Sequence, residues 1–139
     1  MRYYLDTNVL IFVLLKKRRD ELSQDVKQIL NDYSNLFYVS TIAVQELIRV
    51  YKSGVIEDKD YKTVVALLDA IEESGIEIVP VNKRHLFLYA ALEVVEGHKD
   101  PNDHILIAQA ISDKIPIISS DHKFKEYKGQ GLSLVFNKR

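Results

Sequence analysis

The chain has 139 residues, about the size of one domain, so residues 1–139 are expected to form a single domain. At 47% hydrophobic and 28% charged it loses compositional support for disordered, collagen-like or membrane classes, and the lack of any cysteine excludes a disulfide framework, a thiolate metal site and a cysteine nucleophile. The formal net charge of -1 withholds the usual electrostatic footprint of a nucleic-acid binder without excluding one, because a carboxylate-rich pocket pulls net charge down.

Two basic clusters, Lys16-Lys17-Arg18-Arg19 and Lys123, Lys125 and Lys128, could still meet phosphates, although a solvated face is the simpler explanation of them. No basic region followed by a hydrophobic core and cleavage site opens the chain, and no apolar run approaches membrane-spanning length. A cytoplasmic location and no membrane association are the expectation.

In chain order, Tyr3 to Leu5 reads as a buried strand ending on Asp6, and Val9 to Leu14 as a helix too apolar for a surface. Asp20 to Tyr33 carries Leu22, Val26, Ile29, Leu30 and Tyr33 at helical spacing, as an outer-layer helix would. Leu36 to Val39 reads as a strand, with Ser40-Thr41 as an N-cap signal for a helix over Ile42 to Lys52. A further helix is expected over Asp58 to Ser74, capped by Gly75, then a strand over Ile76 to Val79 that stops at Pro80. Lys83 to Glu96 returns to helix with Gly97 as its cap, Ile105 to Ile111 is a buried helix, and Pro116 to Ser119 is a buried strand ending near Asp121. Leu132 to Phe136 is the last expected strand. Strands alternating with helices predict an α/β fold, a three-layer doubly wound parallel sheet with helices on both faces.

In such a sheet, ligands collect beyond the carboxyl ends of the strands. Asp6 and Asp121 follow strands, while Glu46 and Asp103 fall early in helices that follow strand or loop ends. Each has a bland explanation: Asp6 and Asp121 as caps, Asp100-Pro101-Asn102-Asp103 as a helix start with Asp100 as cap, and Glu46 as an outward-facing partner of Arg49. A capping box would put the acid three residues after Ser40 or Thr41, where Ala43 and Val44 stand, so Glu46 is not a capping residue. Together the four can reach one crevice, where unpaired carboxylates would repel and a divalent cation would relieve them. Oxygen-only ligands suit Mg²⁺ or Mn²⁺, ions that activate water for phosphodiester hydrolysis.

These residues resemble the PIN domain family, the fold of VapC-type toxin ribonucleases. The likeness is carried by Leu5-Asp6-Thr7-Asn8, Val44-Gln45-Glu46-Leu47, His98-Lys99-Asp100-Pro101-Asn102-Asp103 with Ile107-Ala108-Gln109-Ala110, and Ile118-Ser119-Ser120-Asp121 with Phe124 and Tyr127. The resemblance implies a PIN-like fold and a catalytic, metal-binding quartet of Asp6, Glu46, Asp103 and Asp121. It makes Thr7, Asn8 and Ser119 supporting polar groups, and Asp100 a cap or secondary support. His104 stands where related sequences often carry Arg, so its contact to substrate or carboxylate is expected to be weaker.

The resemblance further implies an endoribonuclease that cleaves RNA by metal-activated water to a 5′-phosphate and a 3′-hydroxyl, acts as the toxin of a type II toxin–antitoxin pair, forms a homodimer and binds a cognate antitoxin. The alternatives are a catalytically silent RNA- or protein-binding module of the same fold, and a receiver-like signalling domain. The receiver reading lacks its parts: the strands ending at Ser40 and Val79 are not followed by Asp, and 117–121 contains no Lys. His85, His98, His104 and His122 raise a zinc reading, but no pair has the i, i+4 spacing of a helical zinc motif.

Overall fold

The computed structural model describes residues 1–56 and 61–139. Five strands, β1 (Arg2–Leu5), β2 (Leu36–Ser40), β3 (Ile76–Val79), β4 (Ile117–Ser119) and β5 (Leu134–Phe136), form one sheet in the order β3-β2-β1-β4-β5. Every neighbouring pair is parallel. The chain thus winds outward from β1 to β3, then returns to the other side of β1 for β4 and β5. The order reverses between β1 and β4, which puts the crevice beyond Leu5 and Ser119.

Alternation along β1 divides the core. Tyr3 and Leu5 join α1 (Thr7–Leu14) and buried residues of α2 (Gln24–Asn31) and α4 (Val64–Glu73) on one face; Tyr4 joins Leu106, Ile107 and Ala110 of α6 (Pro101–Asp113) with Phe124 and Tyr127 on the other. α3 (Thr41–Lys52) serves both faces, Val44 and Leu47 packing on the first and Ala43 on the second. α5 (Lys83–Ala91) starts at a capping box in which the Asn82 and His85 side chains each accept the other's backbone N–H, at 3.1 and 3.0 Å.

Three expected boundaries shift, two through a local cap and one through contacts from another element. The helix expected from Asp20 is instead a 3₁₀ segment over Lys16–Glu21 followed by α2, because Leu22 is extended and Ser23, not Asp20, caps Val26. Tyr33 lies beyond α2 and is fully exposed. The helix expected to reach Glu96 stops at Ala91: Leu92 turns extended, and the amides of Glu93 and Val95 are taken by Gln130 and Tyr127 at 3.0 and 3.1 Å. Gly97, with φ +84°, therefore shapes the turn before His98 rather than capping α5. Of the helix expected over Asp58 to Ser74, α4 begins after the cap Thr63, and Asp58 lies outside the described residues. Gly75, at φ +77°, closes it as expected.

At the far end of α6 from its N-cap, Asp113 collects three donors: the Tyr4 hydroxyl at 2.5 Å, His85 Nε2 at 2.9 Å and Arg84 at 3.3 Å. His85 Nδ1 already accepts the Asn82 amide, so Nε2 carries the proton it donates. Burial and the Asp113 carboxylate push the Tyr4 phenol well above its usual pKa.

Candidate active site

Asp6 follows β1 as the N-cap of α1, its Oδ1 accepting the Val9 amide at 2.9 Å. Its Oδ2 accepts the hydroxyl of Ser119, the last residue of β4, so the two central strands are joined at the crevice floor by a side-chain bond. Asp121 caps the 3₁₀ segment His122–Gln130 through the Lys123 amide at 2.9 Å, and its own N–H donates to Ser119 Oγ at 3.0 Å. Asp100 caps α6 through the Asn102 amide at 3.0 Å and is exposed. The capping explanations of Asp6, Asp100 and Asp121 are thus structurally real.

Capping does not exhaust the arrangement. Asp103, one turn into α6, has no capping role, and an oxygen of it lies within 4.8 Å of an Asp121 oxygen and of a His98 ring nitrogen. Desolvation pushes Asp103 above the usual carboxylate range against the pull of the His98 hydrogen bond, and the charges of Asp100 and Asp121 add to the rise. Glu46, half-buried on α3, is raised first by desolvation and then by Asp100 and Asp103, with Asn102 opposing. Asp6 is fully buried, and desolvation lifts it to about 7, with Asp103 and Asp121 contributing. Field effects therefore run among all four acids, although only Asp103 and Asp121 lie in the tight trio with His98 among the described residues.

The supporting positions divide. Thr7 is buried with its hydroxyl unpartnered, Asn8 is exposed on the first turn of α1, and Ser119 is fully buried between Asp6 and Asp121. His104 is buried, and its Nε2 donates to the His98 carbonyl at 2.8 Å, so it supports that loop rather than facing outward.

His98 is the residue whose part was missed. Its Nδ1 meets the Tyr127 hydroxyl at 2.7 Å and its Nε2 meets Asp103 Oδ2 at 3.1 Å. The Asp103 carboxylate only accepts, so the ring proton is assigned to Nε2, which donates to it, and Nδ1 accepts the Tyr127 hydroxyl, whose oxygen in turn accepts the Val95 amide. A ring nitrogen spent in this way holds a carboxylate in place and is not a free metal ligand. The available signal was weak: a histidine five residues before an acid that opens an apolar helix.

Glu46 Oε1 and Thr7 Oγ1 are buried oxygens without a hydrogen-bond partner, in a crevice whose carboxylates raise one another's pKa. A buried acceptor left unpaired costs about 1–3 kcal/mol. An oxygen-seeking divalent cation fits this donor set, since it would satisfy the lone pairs and neutralise the repulsion together.

A family model described as PIN domain matches residues 3–130. Among solved structures, the chain is similar to VapBC2 from Rickettsia felis bound to a promoter DNA fragment, at 20% identity and TM-score 0.68, covering 99% of this chain and 100% of that one. DNA-bound VapBC from Salmonella typhimurium shares 17% identity at TM-score 0.66, with 98% of each chain covered. VapBC-5 from Mycobacterium tuberculosis shares 18% at TM-score 0.61, covering 97% of this chain and 98% of that one. At these identities the likeness carries the fold. No curated protein matches the chain.

Proposed function

This chain belongs to the PIN domain family, and on that premise we propose that it is a metal-dependent endoribonuclease, the toxin of a type II toxin–antitoxin pair, folded as one domain over 1–139. The observation that carries the reading is the crevice itself: oxygens of Asp103 and Asp121 lie within 4.8 Å of each other, the charge of Asp103 reaches both Asp6 and Glu46, and a buried Glu46 oxygen has no hydrogen-bond partner. Asp6, Glu46, Asp103 and Asp121 would hold Mg²⁺ or Mn²⁺. When bound, the ion supplies water activation and charge neutralisation at the scissile phosphate.

The remaining residues position this set. Ser119 fixes Asp6 and the Asp121 backbone, His98 and Tyr127 orient Asp103, and His104 braces His98. Thr7 and Asn8 supply polar groups at the rim, and Asp100 adds negative field while capping α6. In the net reaction a water oxygen bonds to phosphorus, the bond to the 3′-oxygen breaks, and a proton ends on that oxygen. A cytoplasmic location accompanies an RNA substrate, and no described helix is long and apolar enough to cross a membrane. A homodimer and a cognate antitoxin complete the reading. Exposed Leu86 and Phe87 on α5 offer apolar surface to a protein partner.

The test is hydrolysis of a mixed single-stranded RNA pool. Cleavage is expected with Mg²⁺ or Mn²⁺, loss in chelator and recovery on re-addition, with 5′-phosphate ends. Asp100→Asn, which keeps the capping oxygen, should stay within about tenfold of the parent. No cleavage by a chain that binds RNA well would favour the silent-module alternative, and cleavage that persists in chelator would remove the ion from the reading.

Stability should follow pH with an unusual sign. The folded pKa of Asp6 is about 7 against an ordinary 3.8, so between those values the folded state binds more protons than the unfolded one. That contribution is therefore lost as pH rises through the window, and Glu46 and Asp103 act in the same direction. Thermal melts in chelator should give a lower melting temperature at about pH 8 than at about pH 5. Adding Mn²⁺ should reverse the order, because the ion competes with the protons. Equal melting temperatures in chelator would remove the electrostatic basis of the site.

A further inference from the structure

The near-neutral net charge conceals an uneven distribution beside the crevice. Phe136, the last residue of β5, has the Lys125 ammonium 3.9 Å from its ring centroid and the His122 ring at 4.7 Å, tilted by 43°. Next to it opens a cleft of about 700 Å³ lined by Ser120, His122, Lys125, Phe136, Lys138 and Arg139, with no Asp or Glu side chain among the lining residues. Ser120 and His122 are the two neighbours of Asp121 in the chain, so the cleft lies one residue away from the crevice on either side of that acid.

The cations are placed by a built element. Asn137 is fully buried: its N–H donates to the Ser119 carbonyl at 2.8 Å, its Oδ1 accepts the Ser23 amide at 2.7 Å, and its Nδ2 donates to Ser120 Oγ and the Glu21 carbonyl at 2.8 and 2.9 Å. Lys138 and Arg139 are held beside Ser120 by this latch. Arg139 reaches back over the buried Phe12 ring at 5.0 Å, where Arg18 also lies at 5.2 Å, and spends one donor on Glu21 at 2.6 Å. Arg18 of one basic stretch and Lys125 of the other, far apart in the chain, thus both come near Arg139, Arg18 beside Phe12 and Lys125 in the cleft.

We infer that this cleft is the track that binds single-stranded nucleic acid and delivers it towards Asp121, with Lys138 and Arg139 on phosphates, Lys125 moving from the Phe136 ring to a phosphate, and the ring face it leaves, beside His122, as a platform for a base. This rests on the hydrolytic reading for the direction of delivery, but not for the binding. The pairing of cations with an aromatic face selects this ligand: phosphates alone need only charge, whereas unstacked bases add a stacking preference.

The experiment measures binding of a fluorescein-labelled single-stranded RNA by fluorescence polarisation across a salt series, in an Asp103→Asn background so that the probe survives. Lys125→Ser with Lys138→Ser should weaken binding at least about tenfold and flatten the slope of log K against log salt by about 1.4, or about 0.7 for each phosphate no longer neutralised. Phe136→Leu should weaken binding about tenfold with the slope unchanged, and Phe136→Tyr should restore it, which separates stacking from a folding defect. Unchanged affinity and slope in the double variant would overturn the inference, as would poly-glutamate of equal charge competing as well as unlabelled RNA. If binding depends on the cleft but the parent chain cleaves nothing in Mg²⁺ or Mn²⁺, the track stands and the nuclease reading falls. If the parent cleaves and binding ignores these substitutions, the track falls alone.

Discussion

Asp103→Asn is expected to lower RNA hydrolysis about 10²- to 10³-fold while raising the melting temperature of the metal-free protein. The amide keeps the shape and an oxygen able to accept from His98 Nε2, so the bond at 3.1 Å and the packing of α6 are retained. It loses the charge that Asp6 and Glu46 both feel. In chelator, relief of that repulsion should contribute about 1 kcal/mol, or a rise of about 3 °C. With Mn²⁺ the order should invert, because the ion then has one carboxylate fewer to bind. The opposed signs are the test: turnover from metal-replete protein and melting curves with and without the ion are measured on the same two proteins. Equal turnover would remove Asp103 from the site, and a lower melting temperature in chelator would mark it as a structural ion-pair partner of His98.

Asp113→Ala should destabilise the fold by about 3 kcal/mol, lowering the melting temperature by about 9 °C, and leave turnover below that temperature unchanged. The substitution strands the Tyr4 hydroxyl and the fully buried His85 Nε2–H and releases Arg84. Gln109 still donates to the Tyr4 oxygen at 3.2 Å, but that bond does nothing for the phenolic proton. Ten residues of helix separate Asp113 from Asp103, about 15 Å along the axis, so the crevice should not feel the change. Asp113→Asn, which keeps an acceptor, should recover part of the stability. Denaturant or thermal melts decide: an Ala variant within about 0.5 kcal/mol of the parent would show that water replaces the carboxylate without penalty.

The layered α/β fold was readable because strands and helices are written in short-range periodicity, and three of the acids were readable because capping is local. Asp6, Asp100 and Asp121 each bond an amide two or three residues ahead. What sequence spacing could not convey is anything closed over long separations. Lys83 to Glu96 has a helical pattern throughout, yet α5 ends at Ala91 because residues from another element take the Glu93 and Val95 amides. The orientation of Asp103 depends on His98 and on Tyr127, 29 positions further on, and no periodic signal links those three. Asn137 looked like an ordinary polar residue after a strand, and only its four partners reveal what it holds. Pair spacing among the histidines speaks to zinc motifs alone, and it is silent on His98 as a donor to an acid.

The central strands β1 and β4 are neighbours in space, but the Ser119 to Asp6 bond that joins them closes over 113 positions. During synthesis Asp6 therefore emerges well before Ser119 and Asp121, and the floor between the two central strands closes only once β4 has been made and has docked beside β1.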